Sequence, residues 1–440
     1  MKGARRGLTL VGGLLGLVVL AYLVGPLLTK DPAQRVRFMI WGSPEEVRVV
    51  QSFLEDFRRE HPEIEVEVEH APSFGYAEKL RIQFLGGNPP DVMYLSQEFV
   101  EDFARQDYLL DLTPLEARDR AELDPGDFYP EVYERFRHQG KLYGISKDFA
   151  TLVLYYNKDL FQKWDVPYPR PGWTWEDFLT TAKALSREGD YGFLLETWNE
   201  ELFPWIWQAG GEVASEDPAE WLLGQPEQLE ASAEALQFLR DLIWVHKVSP
   251  GPSVTRDQGG NALFVRGQVA MCTYGRWACM EFKDLDRFDW DVIELPRHKR
   301  QATSTFAVSY AIAAQSKRSE QAWTLIKFLT SKAQQEKVAH SAQAIPARRS
   351  VAEGPAFREP NALGGLGYPI ASAPHTKSVT YGRFSPRFRG ANEAKQEFNQ
   401  ALDGLWNGSE PDAKVVLQRL QPRVEALLER QRASQAQEAQ

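Results

Sequence analysis

Val36-Arg37-Phe38-Met39-Ile40-Trp41, followed at once by Gly42-Ser43-Pro44-Glu45-Glu46, decides how this chain folds. The first six residues carry one charge among five apolar side chains and read as a buried strand. Ser43 then offers an N-cap, Pro44 suits the first helical position and Glu46 completes a capping box, so a helix begins there. Val47, Val50, Leu54 and Phe57 recur at helical spacing until His61-Pro62 stops the pattern. Ile64-Glu65-Val66-Glu67-Val68-Glu69 alternates with period two, as a strand does. A second helix from about Tyr76 to Leu85 ends at Gly86-Gly87, and Asn88-Pro89-Pro90 leads into a short apolar strand from Asp91 to Leu95. Strand, helix, strand, helix, strand predicts an α/β fold with a parallel, doubly wound sheet.

A similar alternation continues beyond this unit. A strand is expected from Thr151 to Asn157, a helix near Lys158 to Trp164, a Thr174-capped helix through Ser186 and a strand from Gly192 to Leu195. Leu229 to Val245 has a helical stripe, while Gln268–Thr273, Trp290–Leu295 and Phe306–Ala313 read as strands. Helices follow at Ser319–Leu329, Gln334–Ser341, Glu393–Leu405 and Val415–Leu428. Val351 to Phe388 is rich in Gly, Pro and Ser and reads as loop with short turns, and residues 431–440 read as a disordered tail. At about 100–200 residues per domain, 440 residues predict two or three domains whose cores need no disulfide or metal staple.

Lys2, Arg5 and Arg6 precede an uncharged stretch from Gly7 to Thr29, long enough to span a bilayer. Positive charge ahead of the span predicts a cytoplasmic N-terminus and export of the rest of the chain, so residues 1–34 are expected to be a signal or an uncleaved membrane anchor, formed as a hydrophobic helix. Tyr22-Leu23-Val24-Gly25-Pro26 is a poor cleavage site, which favours the anchor, and no Cys follows the stretch to carry a lipid. The expected location is periplasmic or at the cell surface. Fifty-one basic against sixty-one acidic residues leave a net charge of -10, which argues against a nucleic-acid partner. The two cysteines, Cys272 and Cys279, match neither a disulfide framework nor a zinc site, and whether they pair is left open.

The chain has no GxSxG elbow, HExxH, Walker loop or GxGxxG after a strand, and its seven histidines show no ligand spacing. No cofactor, metal or catalytic residue is expected. Aromatic residues are the informative excess: Trp 13, Tyr 15 and Phe 24, several beside polar residues in segments that read as loops or strand ends. A flat ring next to hydrogen-bonding groups suits a sugar, which has apolar C–H faces and a hydroxyl rim.

Gly140-Lys141-Leu142-Tyr143-Gly144-Ile145, Thr151 through Asn157 with Lys158-Asp159-Leu160-Phe161, and Trp173-Thr174-Trp175-Glu176-Asp177-Phe178 resemble the extracellular solute-binding proteins of family 1, the sugar receptors of ABC importers that include maltose-binding protein. Asn88-Pro89-Pro90-Asp91-Val92, Gly210-Gly211, Ala262-Leu263-Phe264, Gly267 to Met271 and Gly275-Arg276-Trp277 extend the likeness in the same order, from Val36 to about Ser350. The resemblance implies a two-lobed periplasmic-binding-protein fold with doubly wound sheets, a hinge and a central cleft. Residues 35–147 with about 300–360 would form one lobe and 148–299 with about 361–430 the other.

It also implies a monomeric receptor that captures a saccharide by hinge closure and delivers it to the transmembrane subunits of a permease, without catalysis. By position, Trp41, Ser43, Tyr94, Gln97 and Asp148 would serve the site from the first lobe and first crossing. Trp198, Asn199, Glu200, Trp277 and Arg276 would serve it from the second, Ser309 and Tyr310 from the returning crossing, and Tyr381 and Arg383 from the C-terminal region. Arg276 stands where a small residue or Pro is usual, and with Arg383 and Arg387 it leaves room for an anionic ligand such as a glycerol phosphodiester or phosphorylated polyol. Two other classes compete: a glycosidase using Asp148 and Glu200 as paired carboxylates, and a membrane-tethered sensory or interaction ectodomain.

Overall fold

In the computed structural model, which describes residues 35–438 other than 217–218, 259, 283–284 and 359–371, the opening unit folds with the expected alternation. β1 (Arg35–Trp41) leads to α1 (Pro44–Glu60), whose capping box is complete: Ser43 Oγ accepts from the Glu46 amide and the Glu46 carboxylate accepts from the Ser43 amide. α1 buries Val50, Phe53, Leu54 and Phe57, the stripe that its spacing predicts. β2 (Glu65–Ala71), α2 (Tyr76–Leu85) and β3 (Val92–Ser96) follow. β1 lies between β2 and β3 and is parallel to both, with Phe38 opposite Val68 on one side and Val92 on the other.

β4 (Ile145–Thr151) is a strand that periodicity misses, because Ser146, Lys147, Asp148 and Thr151 are polar yet all seven residues are buried. β5 (Val153–Asn157) continues from it, and α3 (Trp175–Leu185), α4 (Asn199–Gln208) and α5 (Pro226–Trp244) come next. β6 (Met271–Tyr274), α6 (Ala278–Phe282), β7 (Trp290–Ile293) and the long β8 (Thr303–Ile312) follow. The chain ends through α7 (Ser319–Leu329), α8 (Lys332–Ser341), β9 (Ile345–Pro346), β10 (Gly382–Phe384), α9 (Ala391–Asn407) and α10 (Ala413–Glu438).

The main sheet has the order β9-β4-β8-β3-β1-β2, with β10 added beside β8. Its opening half is parallel, but β8 runs antiparallel to both β3 and β4, so the sheet is mixed. The second sheet corrects the expectation of doubly wound sheets more strongly. Its order is β6-β5-β7 and β5 is antiparallel to both neighbours. Strands that follow β5 after long helical insertions return in the reverse direction, and only isolated parallel bridges, Tyr191 to Val269 and Leu194 to Cys272, occupy the place of the strand expected at Gly192–Leu195.

One core gathers β1–β3, α1, α2, α7 and α8 around Phe38, Phe57, Phe103 and Trp323. A second core holds Phe178, Trp205, Trp207, Leu239 and, from α9 and α10, Phe398, Leu402 and Leu417. β5 is covered on both faces: Leu154 and Tyr156 join that core, while Val153 and Tyr155 join a third cluster with Phe264 and Phe282. The chain passes between the first core and the others in β4–β5, from Phe149 to Leu152, and again along β8, whose Ala307–Ile312 end belongs to the first core and whose Phe306 packs against the second.

Two expectations concern the chain ends. Residues 431–440 read as a disordered tail, but α10 continues to Glu438, because Ala, Gln, Glu and Arg propagate a helix at little cost once it is started. Arg389 ties to Gln431, and the Arg432 guanidinium donates to the Ala219 carbonyl. The expected signal or anchor lies outside the described residues; among the described ones no helix is long and apolar enough to cross a membrane.

Candidate functional site

The C-terminal ends of β1 and β2 open on a cavity of about 500 Å³, bounded on its floor by β4 and β8 and on its far side by the start of α6. Loops at the carboxyl ends of parallel strands are where an open α/β sheet presents its ligand site. From the first core come Trp41, Gly42, Ser43 and Glu46, then Pro72 and Ser73 after β2; from the other side come Trp277, Glu281 and Phe306. Lys147 and Asp148 of β4 lie between them.

Trp41 is half-buried and meets Tyr76 and Tyr94 edge-on at 4.8 and 5.2 Å, so its ring is fixed from behind while it lines the cleft. Gly42 is needed beside it: its φ is +141° and an added Cβ would fall 2.5 Å from Glu46 Oε2. Glu46 is doubly engaged, accepting from the Ser43 amide at 2.6 Å and from Gln343 Nε2 at 2.9 Å. On the opposite side Trp277 stands edge-on to Phe306, with ring centres 5.2 Å apart, and Phe306 in turn packs on Trp198 at 5.6 Å. Gly275 leaves room for that indole, since a Cβ there would sit 2.0 Å from a Trp277 ring carbon.

Lys147 and Asp148 are each about 4% exposed and form an ion pair with one another. Burial pushes the Asp148 carboxyl up and the Lys147 ammonium opposes that push. Lys147 Nζ also lies 4.8 Å from the Tyr94 ring centre, a cation–π contact that anchors the ammonium below the cleft. Burial likewise raises the Glu281 carboxyl, and the negative charges of Glu46 and Glu45 add to the effect, although Asn261 Nδ2 donates to it at 2.7 Å. The lining therefore contains aromatic faces, three carboxylates and a single ammonium already paired with one of them.

Of the residues expected in the site, the structure brings Trp41, Ser43, Asp148 and Trp277 into this cavity. Tyr94 and Tyr310 lie beneath it, each about 1% exposed and packed edge-on at 5.6 Å, because both occupy inward positions of paired strands. Ser309 Oγ donates to the Leu95 carbonyl and Gln97 is buried beyond β3, so neither lines the cavity. Trp198 backs Phe306 and Asn199 is buried in the first turn of α4.

Glu200 accepts from Ser385 Oγ at 2.9 Å and faces Lys395 Nζ at 3.7 Å, away from Asp148's cavity. Asp148 lines this cavity and Glu200 does not, so the two carboxylates proposed as a glycosidase pair do not share its lining. Arg276 is fully buried on the Phe357 ring at 4.3 Å and does not line the cavity that its neighbour Trp277 lines. Tyr381 bonds Ser378 at 3.0 Å, and Arg383 pairs with Glu212 and covers Trp207 in a separate cavity of about 360 Å³. That cavity shares no lining residue with the first. Sequence reading misses Lys147, Glu281 and Phe306 as lining groups and sees Glu46 only as a helix cap; none has a local pattern that announces a ligand. Cys272 and Cys279 are unpaired and buried.

A mixed α/β chain whose separate cores meet across β4, β5 and β8 and enclose an aromatic, carboxylate-lined cleft is a protein of the periplasmic-binding-protein fold. Among solved structures, an ABC substrate-binding protein of Listeria monocytogenes in complex with cycloalternan matches it with a TM-score of 0.80 and 25% identity, over 90% of this chain and 98% of that one. Maltose-bound MalE3 of T. maritima matches with a TM-score of 0.75 and 24% identity, over 89% and 99%. The chain belongs to the bacterial extracellular solute-binding protein family, whose pattern it matches over residues 41–336. It is 23% identical to the galactooligosaccharide-binding protein of Bacillus subtilis (strain 168) over 354 residues, 76% of this chain and 78% of that protein.

Proposed function

We propose that this chain is the sugar-binding receptor of an ABC importer, acting outside the cytoplasmic membrane as a two-lobed clamp that captures an oligosaccharide and presents it to a permease. The observation that carries this reading is the placement of Trp41 and Trp277, from different cores, on one cavity with Asp148, Glu46 and Glu281 beside them. Indole faces take the apolar faces of pyranose rings, and carboxylates accept from hydroxyls. Residues 35–147 with about 300–360 form one lobe in this reading, and 148–299 with about 361–430 the other. β4–β5 and β8 act as the hinge.

Ligand contacting both lobes adds free energy to the closed form alone, and that difference is the signal the permease reads. No bond is broken, so no general acid or nucleophile is required. The charge of the lining favours an uncharged ligand over a phosphodiester or phosphorylated polyol, because its one ammonium is already paired and the first turn of α1 is occupied by Glu45 and Glu46. Residues 1–34 serve as signal or tether in this reading.

A thermal-shift screen against mono- and oligosaccharides, glycerophosphodiesters and sugar phosphates tests it. Saturation at 100 times the dissociation constant contributes about 2.7 kcal/mol to the folded state. Stabilisation by a class of neutral saccharide supports the reading; stabilisation by phosphorylated ligands alone contradicts it.

A further inference from the structure

The β2–α2 loop exposes an aromatic ring that the inner cleft does not use. Phe74 is 98% exposed, whereas Pro72 and Ser73, immediately before it, line the cavity. Gly75 follows with φ +79° and open space around its Cα, so the chain turns into α2 with Phe74 at the outside of the bend.

Topology separates this ring from the other exposed apolar residues of the region. α2 crosses back over a parallel sheet, so it starts at the sheet edge that carries Trp41 and ends at the opposite edge. Ile82 and Leu85, 69% and 79% exposed, lie about 9–13 Å further along the helix axis than Tyr76. Phe74 therefore stands by itself at the cleft mouth, between the small Ser73 and the side-chain-free Gly75, with its faces open to solvent. A protein-docking surface needs a contiguous apolar patch. A single uncovered ring continuous with an aromatic cleft suits the stacking of one further flat unit.

We infer that Phe74 is an outer stacking platform and that the ligand is an oligosaccharide long enough to run from the Trp41–Trp277 cleft out over it. This rests on the cleft being a saccharide site. A short sugar is held by the inner residues alone, and each added ring travels outward past Ser73 until one lies on Phe74. Length selectivity then resides in the β2–α2 loop, while recognition of the innermost rings resides in Trp41, Asp148 and Trp277.

The test is calorimetric titration of the wild-type protein, Phe74→Ala and Phe74→Trp with α-1,4-glucan and β-1,4-galactan series of two to six units. In whichever series binds, wild-type affinity rises with length. Phe74→Ala leaves the shortest ligand within about twofold of wild type and weakens the longer ones about three- to tenfold, and Phe74→Trp restores them. Equal weakening at every length overturns the inference, since Phe74 then acts through the fold or the inner cleft. Unchanged affinity at every length also overturns it. Binding by no saccharide to wild-type protein removes the saccharide reading itself, and this inference with it, an outcome distinct from either of those.

Discussion

Replacing Gly275 with Ala tests the placement of Trp277 without touching the indole itself. A methyl group there would lie 2.0 Å from one Trp277 ring carbon and 2.4 Å from two others, where ordinary contacts begin near 3.4 Å. The ring must retreat by more than about 1 Å, a displacement sufficient to misplace a stacking surface. The backbone of Gly275 is not in the left-handed region, so Ala itself is tolerated there. Because Trp277 is only partly buried and packs edge-on to Phe306, its movement should cost the fold about 1 kcal/mol or less. Loss of the stack should weaken ligand binding by about 1–3 kcal/mol, or about 5- to 150-fold. Titration calorimetry on Gly275→Ala beside Trp277→Ala gives the comparison, with the melting temperature as a check on folding. Affinity within twofold of wild type in a folded Gly275→Ala protein would refute the argument that this indole faces the ligand.

Three further changes probe the frame. Gly192→Ala drives a Cβ to 2.0 Å from the Ala182 carbonyl oxygen, a backbone atom in α3, and should remove about 3 kcal/mol or more in urea unfolding. Lys147→Met strands the buried Asp148 carboxylate and should cost about 3–5 kcal/mol, most of it recovered by adding Asp148→Asn; equal losses in single and double variants would contradict the pairing. Glu201 is buried, with Oε1 unpartnered and Thr273 Oγ1 donating to the other oxygen, and burial holds its carboxyl well above the ordinary 4.5 while Glu196 and Glu200 add to the rise. Above that ordinary value the unfolded chain ionises while the folded chain keeps the proton, so this group lowers stability progressively as pH rises. Glu201→Gln should therefore match wild type near pH 4 and melt higher near pH 7; a gain that does not change with pH would contradict the protonated carboxyl.

The fold is legible wherever local signals agree with tertiary demand. The Ser43-Pro44-Glu45-Glu46 start and the α1 stripe can be read because capping chemistry and apolar spacing coincide, and the Ser319–Leu329 helix can be read from its apolar spacing alone. β4 cannot, since contacts that hold it in the sheet come from residues remote in sequence: Lys147's carbonyl accepts from Gln335 Nε2, and Thr151 Oγ1 donates to the His375 carbonyl. The antiparallel second sheet is hidden for a related reason, as strand direction is set by the return of β6 and β7 from long insertions and leaves no local mark.

The site divides in the same way. Trp41 closes β1, an element that the pattern locates, whereas Trp277 opens α6, a helix that the pattern does not mark, and is reached through the resemblance carried by Gly275-Arg276-Trp277. Tyr310 and Arg276 escape positional reasoning because alternation on a strand, or one residue of rotation past a turn, reverses the face presented. Tyr310 turns into the core against Tyr94, and Arg276 turns onto Phe357 while Trp277 faces the cavity; Ser309 escapes it because its hydroxyl donates to the Leu95 carbonyl of the neighbouring strand. Glu281 and Glu46 act as neighbours across the cleft only once the two cores meet, information that no window of sequence contains.

The most direct test of the central claim is calorimetric titration with the neutral oligosaccharide that gives the largest thermal shift, run on wild type and Trp277→Ala, with the ligand recovered and chromatographed afterwards. A receptor clamp predicts one ligand per chain, recovered unaltered after hours, and binding about 5- to 150-fold weaker in the folded variant. Absence of binding by any saccharide, or recovery of a cleaved product, would contradict it.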